Sequence, residues 1–343
     1  MYSESEIENA VAAGILSPAA AAAFRNYVAQ SRAAPAVDEE QFKLLTGFND
    51  IFVAIALVLS LGAIGQIGWR LTPPLGGVAV AGAAWLFAEY FTRRRRMALP
   101  SILLLLAFAG GVAASLVGVM VRLNLDLPDR VDAIIMAGIG LVTAAATWAH
   151  WRRFMVPITV AAGSLALVGT VIAVAFAAFG LTEQAAYPLA LIGGVGVFAL
   201  AMWWDISDRE RRTRRSDVAF WLHLAAAPLI AHPIFHMLGV LDNNVDAVRA
   251  LLVIGLYLLF AFVALAVDRR ALLVSSLAYV LYAMYALIQQ TGAVELSAAL
   301  TAFVIGSALL TLSVFWHQMR TIVVALLGGL KDRLPPVQTM VPA

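Results

Sequence analysis

Residues 93–121 read RRRRMALPSILLLLAFAGGVAASLVGVMV, four arginines followed by an apolar run that carries no charge from 99 to 121. A helix rises 1.5 Å per residue, so about 20 residues cross a hydrocarbon core of about 30 Å. Lipid offers no partner for free backbone groups, and a helix satisfies them internally. This stretch therefore predicts a transmembrane helix with a basic flank at one end.

The same pattern recurs and predicts ten transmembrane helices. The chain has 343 residues, of which 62% are hydrophobic and 13% charged, whereas soluble domains average about 45–50% apolar and about 25% charged residues. So little charge cannot cover a surface that faces water. The sequence therefore predicts an all-α polytopic membrane bundle. The predicted spans are 51–69, 75–92, 99–121, 131–149, 154–179, 185–204, 217–239, 248–267, 271–290 and 295–316.

The basic residues fall almost entirely on one side of this threading. Of the 23 lysines and arginines, 19 lie in the terminal segments or in every second loop, and only Arg70, Arg122, Arg130 and Arg249 lie opposite. The positive-inside rule then predicts an inner-membrane protein of a bacterium with both termini in the cytoplasm. Anionic lipids are the expected partners of the arginine-rich loops. The basic pI near 9.0 is thus explained by membrane contact, and no nucleic-acid partner is predicted.

Residues 1–34 predict a small cytoplasmic helical hairpin. Ser3 and Glu6 form a capping box, Gly14 ends the first helix, and Ser17 with Pro18 begins the second. Such a pair buries too little surface to be stable alone, so we expect it to dock on the membrane domain or on a protein partner. The residues expected to face one another across the hairpin are Ile7, Val11 and Ile15 with Phe24, Tyr27 and Val28.

The remaining chain divides into three predicted segments. Residues 35–50 form a linker and a lead-in helix, 51–316 the transmembrane domain, and 317–343 an amphipathic helix with a disordered tail. The apolar residues of the last segment recur at helical spacing through Leu334, which suits a helix lying in the membrane interface. Packing of this helix against the protein is the alternative. The first span is expected to act as an uncleaved insertion signal.

The opening segment also carries a resemblance. Residues 7–17 read IENAVAAGILS. This segment resembles the N-terminal hairpin of a family of uncharacterised bacterial multi-pass membrane proteins, in which a helix, a Gly-Leu/Ile-Ile/Leu-Ser turn and a second helix precede many spans. The resemblance covers the hairpin and the overall hydropathy. It implies a membrane protein with many spans and carries over no activity or site.

The seventh predicted span holds the most unusual polar residues. His232 and His236 are four residues apart and share one helix face, whereas His223 lies on the side opposite His232. Pro228 and Pro233 each remove a backbone hydrogen bond and favour a kink, which frees carbonyl oxygens beside the histidines. The pair therefore suits a proton or substrate site. Hydrogen bonding to a neighbouring helix is the structural alternative.

A metal site is a further interpretation of the same pair. Asp242 follows in the next loop, and two histidines with a carboxylate suit zinc or copper. Haem ligation by His223 with His150 or His317 is another, although the sequence establishes no facing pair. The chain has no cysteine, which excludes thiolate sites. No cofactor is predicted.

Four other residues complete the candidate proton or substrate pathway. Tyr279 and Tyr282 lie three residues apart in the ninth span, where they either line a polar cavity or hydrogen-bond between helices. Gln66 and Glu89 are further polar groups inside predicted spans, which favours a functional role. Glu89 also lies within about a turn of Arg93, so an ion pair at the interface is its alternative.

These features favour a small-molecule or proton-coupled transporter. The alternative is a non-transporting scaffold, assembly or envelope-stress protein that acts through its N-terminal hairpin. An enzyme acting on lipid is the third hypothesis. The sequence has no phosphate-binding loop, no Gly-x-Ser-x-Gly and no His-Glu-x-x-His motif, and no catalytic residue is predicted.

Overall fold

The computed structural model describes residues 4–32, 48–124, 127–209, 211, 213–240, 247–290, 297–329 and 334–336. Throughout these residues the chain is helical or forms connections, with no strand. Ten of the described helices are long and apolar enough to cross a membrane. The predicted all-α polytopic class and the predicted number of spans are therefore confirmed.

The helices are numbered here in chain order. A π-helical segment, Glu89–Arg94, continues α4, and a 3-10 turn, Glu183–Ala185, precedes α8. The membrane-spanning candidates are α3 to α12, with those two short segments. The bounds are α1 Glu4–Ala12, α2 Pro18–Arg32, α3 Phe48–Leu71, α4 Pro73–Ala88, α5 Ala98–Leu123, α6 Asp129–Phe154, α7 Ile158–Phe179, α8 Ala186–Ser207, α9 Arg214–Met237, α10 Ala247–Val267, α11 Ala271–Gln290, α12 Ser297–Val314 and α13 Trp316–Leu326.

The N-terminal hairpin forms as predicted, but its apolar face differs. Gly14 takes a left-handed φ of 71° between the helices, and the Ala20 amide donates to Ser17 Oγ at 3.1 Å at the start of α2. Ile7 is buried, whereas Ile15 and Tyr27 are 78% and 70% exposed. The expected apolar pairing across the hairpin is therefore wrong for those two residues. Ser3, the predicted cap of α1, lies outside the described residues.

The chain forms two compact units. The first unit is Phe42–Val197, and the second unit is Met1–Gln41 with Phe198–Ala343. In the first unit α4 and α5 approach so closely that a Cβ added to Gly77 would lie 2.2 Å from the Ser115 amide nitrogen. Small residues permit such contact between membrane helices. In the first unit, α4 and α5 are thus packed by close approach of their backbones.

The second unit is assembled around larger side chains. Its apolar core includes Phe235 of α9, Val253 and Phe260 of α10, and Val280 of α11. Half of the most apolar 18 residues of α9 are buried. The helix continues without a break through Pro228 and Pro233. α9 is therefore the most buried of the ten described spans.

The C-terminal helix is shorter than predicted and lies on the protein. α13 ends at Leu326, so it does not continue to Leu334. One face buries Trp316, Arg320, Val323 and Val324, and α13 contacts α10. The alternative prediction, in which the C-terminal helix packs against the protein, therefore describes this buried face. An arginine on the packed face is unusual and leads to the site below.

Candidate functional site

The predicted histidine pair of α9 lies beside a tyrosine of α11. The rings of His232 and His236 have centroids 6.2 Å apart, and His232 Nδ1 lies 2.5 Å from the Tyr279 hydroxyl. Phe235 stacks on Tyr279 with ring centroids 4.4 Å apart. The structure thus brings together three of the predicted pathway residues at the edge of the apolar core.

The other predicted pathway residues take no part in this contact. Tyr282 packs against the same apolar core, while Gln66 is exposed on α3 in the first unit. Glu89, also in the first unit, accepts hydrogen bonds from Arg93 at 3.2 Å and from Arg153 at 2.6 and 3.0 Å. The expected ion pair with Arg93 is confirmed. The second partner, Arg153, lies 64 residues away, and no local sequence pattern indicated it.

The metal hypothesis gains no ligand from the described residues. Asp242, its third ligand, lies outside them. Among the residues that are described, no group of three or more His, Cys, Asp or Glu side chains could hold an ion. His232 and His236 alone would fill half of a tetrahedral zinc site. The metal role stays a prediction.

The structure shows a different polar site, at the end of the second unit that carries its arginine-rich connections. Asp205, near the end of α8, is 1% exposed. Its carboxylate accepts two hydrogen bonds from Arg269, from Nη2 at 2.7 Å and from Nε at 3.3 Å, and lies 2.9 Å from His223 Nε2 of α9. Arg269 also donates to the Ser216 carbonyl at 3.2 Å. One buried carboxylate thus joins three segments of the chain.

A second buried carboxylate lies next to this cluster along the chain. Asp268 accepts a hydrogen bond from Arg211 Nη1 at 2.9 Å and another from Trp316 Nε1 at 2.8 Å. Arg211 also donates to the carbonyls of Val267 and Asp268 at 3.1 and 3.3 Å. Arg270, the other neighbour of Arg269, lies with its guanidinium 4.7 Å from the Trp316 ring centroid. The connection between α10 and α11 is therefore fixed by Arg211 and by Trp316.

Arg320 extends the network to the C-terminal segment. Its side chain is fully buried, and its Nε lies 3.5 Å from Asp268 Oδ1. Its Nη1 and Nη2 donate to the carbonyls of Pro336 and Pro335 at 3.1 and 2.7 Å. Arg209 donates to the Leu334 carbonyl at 3.1 and 3.3 Å. Two arginines thus fix residues 334–336 against the second unit.

Local backbone geometry places these side chains. Asp268 and Arg211 both adopt left-handed φ values, 61° and 52°, which turn the chain sharply at the two connections. The Arg269 amide donates to the Ala264 carbonyl at 2.9 Å and closes the end of α10. Asp208 accepts from the amide and hydroxyl of Thr213 at 2.9 and 2.7 Å, which orders the start of α9. The carboxylates and guanidiniums are therefore held by ordered turns.

The network holds opposite charges in a place where solvent cannot screen them. Two carboxylates, Asp205 and Asp268, meet three guanidiniums, Arg211, Arg269 and Arg320, each side chain at most 7% exposed. Burial of a charge is costly unless it is paired and hydrogen-bonded. These five groups satisfy that condition. His223 adds an imidazole to this network, with its Nε2 2.9 Å from Asp205 Oδ2.

Another buried histidine lies in the first unit. His150 is fully buried between the rings of Phe154, Phe108 and Trp85, at centroid distances of 4.6, 5.5 and 6.0 Å. Its Nδ1 lies 3.4 Å from Thr159 Oγ1. Nε2 has no hydrogen-bond partner in the described part of the chain. Haem ligation by His150 stays a prediction.

A search of protein-family models, of curated proteins and of solved structures returned no match to this chain. Function must therefore be argued from the geometry of the site itself. The ten spans place the protein in a membrane, and the buried network is the strongest candidate for its chemistry.

Proposed function

We propose that this chain is a multi-pass protein of a bacterial inner membrane, with its termini and arginine-rich loops in the cytoplasm, that works as a small-molecule or proton-coupled transporter. The distribution of 19 of 23 basic residues supports the orientation. Reporter fusions after residues 96, 153, 215 and 270 should report cytoplasm, and fusions near 126, 183, 243 and 292 should report the periplasm.

The observation that carries the transport proposal is the cluster of Asp205, His223 and Arg269. Asp205 and His223 lie within candidate spans, where ionisable groups are costly and usually functional. Here one carboxylate is shared between a permanent cation and an imidazole that can gain or lose a proton. Protonation of His223 adds a positive charge to a closed site, so Asp205 must divide its attraction between two cations. Such a change in charge can couple the binding of a proton to a movement of α8 relative to α9.

Two further polar positions support a path through the second unit. His232 follows His223 by nine residues on α9, which corresponds to about 14 Å along a helix. Tyr257 of α10 packs against both apolar clusters of this unit, and its buried hydroxyl has no hydrogen-bond partner among the described residues. With Tyr279 beside His232, polar groups occur at three levels of one helix group. A proton or a polar solute that crosses the membrane needs polar groups at successive depths along its path.

The experiment is solid-supported-membrane electrophysiology on the purified full chain in liposomes. Amino acids, sugars, nucleosides, carboxylates and metal cations are applied in turn across a range of pH. We expect a solute-dependent current coupled to protons, and we expect His223→Gln to remove the coupling because glutamine can hydrogen-bond to Asp205 but cannot carry a proton. Asp132→Asn, at an exposed position of α6, is the control. Absence of current with every class would contradict transport, and unchanged coupling in His223→Gln would contradict the site.

The N-terminal hairpin favours a second role, contact with a protein partner. Ile15 and Tyr27 are 78% and 70% exposed, although the membrane does not account for apolar surface on a predicted cytoplasmic hairpin. A scaffold or stress-response protein would use such a surface. A photo-crosslinker at position 27 should then capture one defined protein, and Ile15→Glu should abolish this crosslink while Ala20→Glu leaves it. Insertion should survive deletion of residues 1–34.

A further inference from the structure

The first unit carries a dense group of arginines at one end of its helices. The segments 89–96 and 148–154 contain six arginines and one acidic residue, Glu89. Glu89 pairs with Arg93 and Arg153. The other four arginines are all exposed and form what we call the basic rim: Arg94, Arg95, Arg96 and Arg152.

Glu89 brings the two segments of the basic rim together. Its carboxylate accepts two hydrogen bonds from the Arg153 guanidinium, so the π-helical segment after α4 is tied to the last turn of α6. Arg152 precedes Arg153 and is therefore held near the arginine run. In the described residues the side chains of Arg94 and Arg96 make no hydrogen bond or ion pair. The rim thus has guanidinium groups available for an external anion.

Aromatic rings hold two of the rim arginines. Arg95 lies 5.6 Å from the Tyr90 ring centroid and its Nε is 3.2 Å from the Tyr90 hydroxyl. Arg152 lies 5.5 Å from the Trp148 ring centroid. Cation–π contact leaves N–H groups of a guanidinium available, which in Arg95 are those on its two Nη atoms, and such N–H groups match a phosphate. The side chains are therefore partly ordered before a ligand arrives, which lowers the entropic cost of binding.

The backbone of the arginine run is also ordered. The Arg95 amide donates to the Tyr90 carbonyl at 3.0 Å, and the Met97 amide donates to the Phe91 carbonyl at 3.1 Å. Arg96 takes a left-handed φ of 53° between these bonds. The run is thus a closed turn at the end of a span, where its charges lie close together.

The surroundings of the rim indicate a lipid. Tyr90 and Trp148 are 43% and 63% exposed, and exposed Tyr and Trp at span ends lie at the headgroup level of a bilayer. Leu86, one turn before Tyr90 on α4, is 71% exposed and offers apolar surface to an acyl chain. We propose that the basic rim is a binding site for the phosphate headgroup of an anionic phospholipid.

Native mass spectrometry of the purified full chain tests this proposal. The probes are phosphatidylglycerol, phosphatidylethanolamine and inorganic phosphate. We expect the anionic lipid to be retained preferentially. Because each arginine near an anionic surface contributes about 1 kcal/mol, Arg95→Gln with Arg152→Gln should weaken retention by about thirtyfold. Arg122→Gln with Arg130→Gln, which also removes two exposed arginines, is the matched control and should retain the lipid.

Three results would overturn the proposal. Equal retention of the two lipids would show no charge selectivity. Equal loss in both double variants would show that total charge, and not the rim, attracts the lipid. Displacement by excess inorganic phosphate would assign the site to a free anion. Arg95→Lys with Arg152→Lys keeps the charge if the glutamine variant does not fold. Lipid retention by this lysine variant should fall between that of the unmodified chain and that of the glutamine variant. Retention equal to that of the unmodified chain would exclude a role for the two guanidiniums that contact Tyr90 and Trp148.

Discussion

The two units solve the problem of packing helices in a membrane in different ways. In the first unit, glycines allow α4 and α5 to touch through their backbones, and the ion pair of Glu89 lies at a partly exposed end. In the second unit, charged side chains are buried and joined by hydrogen bonds. Helices in backbone contact are destabilised when a substitution adds atoms between them. A buried charge network is destabilised when a substitution removes one of the paired groups. The two units should therefore respond to opposite kinds of substitution.

The largest expected effect is the loss of a buried carboxylate. Asp205→Ala leaves the Arg269 guanidinium buried without its counter-charge and should lower the free energy of unfolding of the second unit by about 3–5 kcal/mol. Glu89→Ala in the first unit removes an exposed pair and should change stability little. Unfolding in mixed micelles, titrated with SDS, measures both. Equal losses in the two variants would contradict the contrast between the units.

The next effect is the addition of one methyl group in the first unit. A Cβ at Gly77 meets the backbone of Ser115, which cannot move independently of α5. Gly77→Ala should therefore destabilise this unit by about 2–3 kcal/mol through overpacking. Gly82→Ala on the same helix is the control, because a Cβ there meets no atom within 4 Å. A tolerated Gly77→Ala would mean that α4 and α5 are not held by backbone contact.

A smaller effect is expected from a single hydrogen bond to the network. Trp316→Phe keeps an aromatic ring but removes the donor to Asp268 at 2.8 Å. Hydrogen bonds to charged groups contribute about 1.5–3 kcal/mol, and the loss should lie at the low end because other donors to Asp268 remain. Trp203→Phe, at a position 64% exposed, should leave the unfolding midpoint unchanged.

The smallest effect is expected at the histidine pair. Tyr279→Phe removes the hydroxyl beside His232, a residue that is itself exposed. A neutral hydrogen bond contributes about 0.5–1.5 kcal/mol, and exposure to solvent reduces this further. We expect a change in stability below about 1 kcal/mol. A loss as large as that of Asp205→Ala would show that the buried network is not the main polar determinant of this unit.

The spans could be predicted because a bilayer imposes length and composition on each helix separately. The run from 99 to 121 needs no knowledge of its neighbours to be identified as a span. The pairing of Asp205 with Arg269 and of Asp268 with Trp316 depends on contacts 64 and 48 residues apart. Local pattern contains no information on such pairs. Their arginines also served the topology prediction, which concealed their second role.

One signal of the network was present in the sequence. Trp316, Arg320, Val323 and Val324 follow the spacing of a single helix face. The prediction of an interfacial helix used only the apolar residues of this segment and did not consider the arginine among them. An arginine in the middle of an apolar stripe instead indicates a buried partner. The histidine pair was identified because its spacing is local, four residues on one helix.

The order in which the partners of the network are synthesised has a consequence for membrane insertion. Asp205 enters the membrane with α8, but Arg269 follows 64 residues later and Trp316 follows Asp268 by 48. Until α9 and α10 have been inserted, the carboxylate of Asp205 has no guanidinium partner from this site. The nascent second unit should therefore remain loosely assembled beside the translocon. The chain has no cysteine, so the test uses a single cysteine introduced into α8, which should stay accessible to thiol labelling from water when the ribosome is stalled before residue 269. Maturation of this half of the protein would then be a single late event.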